Sequence, residues 1–141
     1  MSAFISNVLA VIMTLISIIM PAKPNNVELT VRKITTESTS ISFEIKNNTG
    51  RLMGRPNVSL IEKKDENGKW QKADINFGQT EEYYNIYPGM SAVDSVFLAS
   101  ESPEESSMLS EGEYRLTVSY RIGTISIETI KGSISSEFTV T

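Results

Sequence analysis

Apolar and polar side chains alternate with a period of two along most of the chain. In "VELTVRKI", Val27, Leu29 and Val31 share one face, and Glu28, Thr30 and Arg32 the other, as in a half-buried β-strand. "STSISFEIKN" repeats the pattern with Ile41, Phe43 and Ile45. The polar turn Thr36-Glu37-Ser38 between them makes the two runs consecutive antiparallel strands or neighbours that switch sheets. "NNTGRLMGRP" then reads as a loop by its Asn, Gly and Pro content. A third strand, "NVSLIEKK", is expected to turn Val58 and Leu60 inward. It runs into "DENGKW", where Asn67-Gly68 predicts a hairpin with both turn residues at positive φ. The partner strand is "KWQKA", and Trp70, the largest apolar side chain here, is expected to lie over the hairpin or the core.

The middle of the chain, "INFGQTEEYYNIYPGMS", is less regular and holds Tyr83, Tyr84 and Tyr87 before a Pro88-Gly89 turn. "SAVDSVFL" is a strand for which Val93 and Phe97 are the expected inward residues. "ASESPEESSMLSEGE" is acidic and Ser-rich, a loop with room for one helical turn around 103–108. In "EGEYRLTVSY" the alternation is clean, with Tyr114, Leu116, Val118 and Tyr120 on one face. A tyrosine at such a corner of a sandwich sends its hydroxyl to an upstream backbone group, here within 108–111, so Tyr114 reads as structural. The tail "IGTISIETIKGSISSEFTVT" places Ile125, Ile127 and Ile130 in a loop or an extended hairpin, then a last strand with Phe138 and Val140 inward. Seven or more short strands, turns rich in Gly, Asn and Pro, and no helical period in the body predict an all-β antiparallel sandwich of about 7–9 strands.

The N-terminus breaks this pattern. Residues 8–20 are almost wholly apolar and no charged side chain precedes Lys23, which predicts a hydrophobic helix over 1–22, ahead of a domain over 24–141. Two readings stay open. Pro21 and Ala22 favour a cleaved signal peptide, whereas Met20 fits the cleavage rule poorly and 3–22 is about long enough to span a bilayer as an anchor. Either way the domain is expected to be secreted or membrane-anchored at the extracytoplasmic face, touching membrane through this segment if it is uncleaved.

Composition narrows the chemistry. Across 141 residues the formal charge is −4, which argues against nucleic-acid binding, since a clustered basic surface supplies most of that affinity. The chain has no cysteine and no histidine, so thiolate nucleophiles, disulfides, zinc thiolate sites and imidazole bases are all excluded. Glu101, Glu104, Glu105, Glu111 and Glu113 lack the spacing of a calcium loop and read as a solvated face. Lys63, Lys64, Lys69 and Lys72 are interleaved with Asp65 and Glu66, a mixed-charge hairpin tip. Glu81-Glu82 beside Tyr83-Tyr84 resembles a glycosidase mix, but glycosidases need two carboxylates facing each other across a cleft. No enzyme, metal or cofactor is expected.

The order of "SISFEIKNNTG", "SLIEKKDENGKWQKA", "YPGMS", "LSEGEYRLTVSY" and "SSEFTV" resembles a bacterial immunoglobulin-like domain family of exported Gram-positive (Firmicutes-type) proteins, over roughly residues 27–141. The shared motifs are a strand ending in Lys-Asn-Asn, a Leu-Glu-Lys-Lys/Asn-Gly-Lys-Trp hairpin, a Pro-Gly turn and a Leu-x-x-Gly-x-Tyr-Arg corner. The resemblance implies an immunoglobulin-like fold in the cell envelope, without catalysis or cofactor. Two departures stand out: a longer Ile-rich segment over 122–133, and no lipobox cysteine for anchoring.

Function is then expected at surfaces. The first reading is a non-enzymatic binding or structural module for an unknown protein or cell-wall partner, with Ile125, Ile127 and Ile130 as candidate contacts because they are costly to expose. Their pairing into the sheet is the plainer alternative. A second reading is a proteinase inhibitor of related sandwich fold, with Arg51 and Arg55 of "GRLMGRP" presented to a trypsin-like enzyme.

Overall fold

Alternating sequences bury one face of a sheet, and two such faces must close on each other. The computed structural model describes residues 25–99, 109–123 and 129–141 and shows that closure. The expected N-terminal helix over 1–22 and the helical turn over 103–108 lie outside the described residues. Among the described residues ten strands are formed: β1 (Val27–Val31), β2 (Ser40–Asn47), β3 (Met53–Gly54), β4 (Asn57–Lys64), β5 (Trp70–Lys72), β6 (Asn76–Gly78), β7 (Asn85–Ile86), β8 (Ser91–Ala99), β9 (Gly112–Gly123) and β10 (Thr129–Val140). One sheet has the order β1-β2-β8-β6, the other β5-β4-β9-β3-β7 with β10 along β9. All strand pairs are antiparallel. The count exceeds the expected seven to nine because β3, β5, β6 and β7 are only two or three residues long.

The core is the meeting of the clean alternations: Ile41, Phe43 and Ile45 of β2 against Leu116, Val118 and Ile122 of β9, all fully buried. After β1 the chain crosses to the second sheet, where Ile34 bridges Val140 in parallel and Thr36 N–H donates to the Thr141 carbonyl at 3.2 Å. It then returns as β2, so the 34–36 segment laces the two sheets together at one side.

Three expected details are corrected. In β8 the inward residue is Val96, while Val93 and Phe97 are 52% and 49% exposed. The phase is reversed because Asp94 sits in the inward row with an ion-pair partner; Phe97 instead lays its ring across Gly78, where a Cβ would come within 2.7 Å of it. In β4, Val58 is buried but Leu60 is replaced by Ile61, since a bulge after Val58 inserts Ser59 and shifts the register. At the hairpin only Gly68 has positive φ, +76°; Asn67 does not. The Asp65 carboxylate accepts from the Asn67 and Lys69 N–H groups, both at 2.9 Å, and Gly68 N–H donates to the Asp65 carbonyl at 3.0 Å. The loop is thus a type I turn closed by a glycine bulge rather than a two-residue turn.

The last strand is longer than expected. It pairs with β9 from Thr129↔Gly123 to Val140↔Gly112.

Candidate functional site

Among the described residues, two constellations of buried polar groups stand out. The first grows from the row Ile41, Phe43, Ile45, which continues through Asn47 at the end of β2 to Thr49, Arg51 and Met53, all buried. The Asn47 amide donates to the Arg51 carbonyl at 2.7 Å and to the Ile86 carbonyl at 2.8 Å, and its Oδ1 accepts from Thr49 N–H and Thr49 Oγ1. Its backbone exchanges hydrogen bonds with the Pro-Gly turn: Asn47 N–H to the Met90 carbonyl at 2.9 Å, Gly89 N–H to the Asn47 carbonyl at 2.6 Å. The Asn47 side chain thereby holds the 48–52 loop and β7, with its hydrogen-bonding capacity filled, while its backbone holds the turn at 87–90. The Lys-Asn-Asn and Pro-Gly motifs, far apart in sequence, meet here.

The second constellation spans the sheets. Met53 pairs with Ile122 and Asn57 with Ser119, so β3 and β4 follow the same edge of β9 with one residue in excess at the Gly54-Arg55-Pro56 break. That break turns Arg55 toward the other sheet, where it grips Asp94 with two bonds, Nε to Oδ2 at 2.9 Å and Nη2 to Oδ1 at 3.1 Å. The side chains are only 8% and 9% exposed. The Tyr84 hydroxyl donates to Asp94 Oδ2 at 2.5 Å, and the guanidinium lies 5.6 Å from the Tyr84 ring. Burial pushes the Asp94 carboxyl up, but bonds from Arg55, Tyr84 and Ser95 N–H outweigh it and hold the group below the usual carboxylate range. Its hydrogen bond to Asp94 raises the Arg55 pKa. Burial first, then the hydrogen bond to Asp94, raise the Tyr84 phenol well above its ordinary value.

This pair has a second task. Arg55 Nη1 donates to the carbonyls of Thr80 and Glu82, the latter at 2.6 Å. Gln79 adds a further tie, accepting from Val58 N–H at 2.8 Å. The 79–84 loop is thus clamped by its backbone, leaving Glu81, Glu82 and Tyr83 outward, Tyr83 at 83% exposure. Between this loop and the strands β9 and β10 runs an open groove of about 1230 Å³, with Arg121 and Lys131 among its lining residues and Glu81 and Glu82 also lining it. Among the described residues no group of three or more His, Cys, Asp or Glu side chains is placed to hold a metal ion.

The residues singled out from sequence fall elsewhere. Tyr114 is buried, donates its hydroxyl to the Ser110 carbonyl at 2.8 Å and stacks on Phe138 with centroids 5.6 Å apart. Asn67 and Gly68 form the β4–β5 turn, and Trp70 packs under Arg115, whose guanidinium is 4.6 Å from the ring centroid. Arg115 also bonds Glu62 at 2.8 Å, so the hairpin motif and the tyrosine-arginine corner are one unit. Ile130 is half-buried, opposite Ile122 in the β9–β10 ladder, and packs against the core. Ile125 and Ile127 lie outside the described residues. The expected presentation of Arg51 and Arg55 on a loop is overturned: Arg51 is 6% exposed, with Nε and Nη1 buried and without a hydrogen-bond partner, and Arg55 is the cross-sheet clamp.

Asn47, Arg55, Tyr84 and Asp94 were not marked by the alternation. The available signals were Pro56, which interrupts a strand by lacking an N–H, and a lone Asp inside an otherwise uncharged strand.

The chain is similar to the YadV chaperone, with a TM-score of 0.50 at 7% identity over 82% of this chain and 51% of that one, so it spans about half the chaperone's length. It is also similar to the ASH/PapD-like domain of human CEP192 (PapD-like domain 7), with a TM-score of 0.42 at 12% identity over 86% and 89% of the two chains. No curated protein matches the sequence. The family described as bacterial Ig-like domain matches residues 23–138, and the chain belongs to that family.

Proposed function

We propose that the protein is an exported, non-enzymatic module of the bacterial cell envelope, of the Gram-positive type, acting through binding or as a structural element. The observation that carries this reading is the use made of Arg55, Asp94 and Tyr84. Each is paired with another, and their joint effect is to hold the backbone of the 79–84 loop beside the groove. Such an arrangement fixes a surface in place and leaves the carboxylate 9% exposed, which suits recognition better than proton transfer to a substrate. Export is supported by the apolar run over 8–20 with no charge before Lys23.

The test is fractionation of cells expressing the native protein, with intact-mass determination of its N-terminus. A chain starting near Lys23 in the medium, or the full-length chain in the membrane fraction, is the expected result. Full-length soluble protein in the cytoplasm would overturn the reading.

A further inference from the structure

A long edge strand is the feature that this function leaves unused. Among the described residues, β10 pairs only with β9, apart from the Ile34 bridge at its last residue. It is twelve residues long, without proline, and carries only Lys131 and Glu137 as charges. Such an edge is a template for another strand unless it is covered or broken.

Backbone direction fixes which groups the edge offers. Gly123 N–H points to the β3 side, donating to the Leu52 carbonyl at 2.8 Å. In an antiparallel ladder successive residues point to opposite sides, so the even-numbered residues of β9 face β10, and by register the even-numbered residues of β10 face β9. The odd-numbered residues of β10 point away, and Thr141 agrees by accepting from Thr36 on that side. Lys131, Ser133, Ser135 and Glu137 therefore hold their N–H and C=O groups toward the open edge.

We propose that this edge pairs with the same edge of a second copy, antiparallel about a two-fold axis at Ile134. The sequence "TIKGSISSEFT", 129–139, is self-complementary in that register. Lys131 falls opposite Glu137 of the second copy, and Glu137 opposite its Lys131. Ser133 faces Ser135, Ile134 faces itself, and half-buried Ile130 approaches Phe138, so like meets like on the inner face and opposite charges meet on the outer face. The hydrogen-bonded pairs match odd with odd, the residues whose backbone groups face the edge, and the even-numbered residues form the non-hydrogen-bonded pairs between them.

The charges of the monomer favour the same partner. Lys131 lies directly opposite Arg121 on β9, a like-charge cross-strand pair that is unfavourable alone. Glu137 lies opposite Arg115, which is already bonded to Glu62. Joining two copies extends this row to Glu62, Arg115, Glu137, then Lys131 and Arg121 of the second copy, which places a carboxylate beside the strained cation. The 34–36 segment caps the edge at 140–141 and limits pairing to the stretch between the two Lys-Glu contacts.

The test is sedimentation of the full chain and its charge-swap variants in one buffer with a mild non-ionic detergent. Lys131→Glu and Glu137→Lys each place like charges together at both ends of the seam and are expected to weaken dimerisation about tenfold or more. The double swap Lys131→Glu/Glu137→Lys restores both contacts and is expected to recover association to within about threefold of the parent. The chain has no cysteine, so Ile134→Cys gives a single thiol, expected to form a disulfide dimer under mild oxidation because facing residues of this type lie about 4.5 Å apart. Ser136→Cys, four residues from its own copy across the axis, is expected to stay reduced. A monomeric parent, single swaps that dimerise like the parent, or equal cross-linking at 134 and 136 would each overturn the proposal.

Discussion

Replacing Asp94 with Asn keeps the shape of the side chain and removes the charge that neutralises Arg55. In the native protein the carboxylate receives two bonds from the guanidinium, one from Tyr84 at 2.5 Å and one from Ser95 N–H at 2.8 Å. Breaking a buried ion pair by removing one partner costs about 3–5 kcal/mol, and this pair lies just under the surface with an amide oxygen left to accept, so about 2–3 kcal/mol is expected. For a domain of this size that is roughly 8–12 °C in Tm. The pH dependence sharpens the test. Because the folded Asp94 carboxyl is held below its ordinary value, its stabilisation is present above the unfolded pKa of about 3.9 and is lost as pH falls through the folded pKa. The gap between parent and Asp94→Asn should therefore be full at pH 7 and shrink below about pH 4. Urea unfolding followed by the fluorescence of Trp70, the single tryptophan, reads both. A variant within about 0.5 kcal/mol of the parent at pH 7, the range of an ordinary surface change, would refute the clamp. So would a gap that stays constant down to acid pH.

Two further changes test the scaffold. Tyr114→Phe removes the bond to the Ser110 carbonyl while keeping the stack on Phe138, and is expected to cost about 1–2 kcal/mol in urea unfolding. Gly68→Ala meets no atom within 4 Å but must adopt a φ of +76°, so it should cost about 1 kcal/mol, whereas Asn67→Ala, with an ordinary φ, should be nearly neutral in the same assay.

How far the sequence carries the fold depends on what shares a row with the apolar residues. Runs of aliphatic and aromatic side chains, Ile41, Phe43 and Ile45 in β2 and the row from Tyr114 to Ile122 in β9, are legible at once, because burial is their sole physical explanation. The β8 row was not: with Asp94 in the inward set, alternation favours Val93 and Phe97, and only knowledge that Arg55 arrives from the other sheet restores the phase. Bulges hide in the same way. Ser59 carries no mark in "NVSLIEKK", yet it moves the buried position from Leu60 to Ile61. The groove and its clamp were less legible still, since they join residues 39 positions apart whose pairing depends on the break at Pro56. The hairpin and corner were readable as local motifs, but not their union through Arg115 stacked on Trp70.

The treatment of the other edges bears on why β10 is left open. In the first sheet one edge is β6, three residues long, and the other is β1, five residues long. In the second sheet the outer strands β5 and β7 are three and two residues long. Short edges offer too few backbone groups to recruit a strand, which is a usual protection against aggregation. Against that background β10 is an exception in length, and among the described residues its outer backbone edge is paired only at 140–141, with Ile34 and Thr36. A cap at one end is poor protection but a good stop, since it fixes how far an added strand can slide. A Lys and a Glu placed symmetrically about Ile134 then penalise the wrong registers and reward one. Protection and specificity are thus met together: the edge rejects most strands by charge and length, and accepts its own copy.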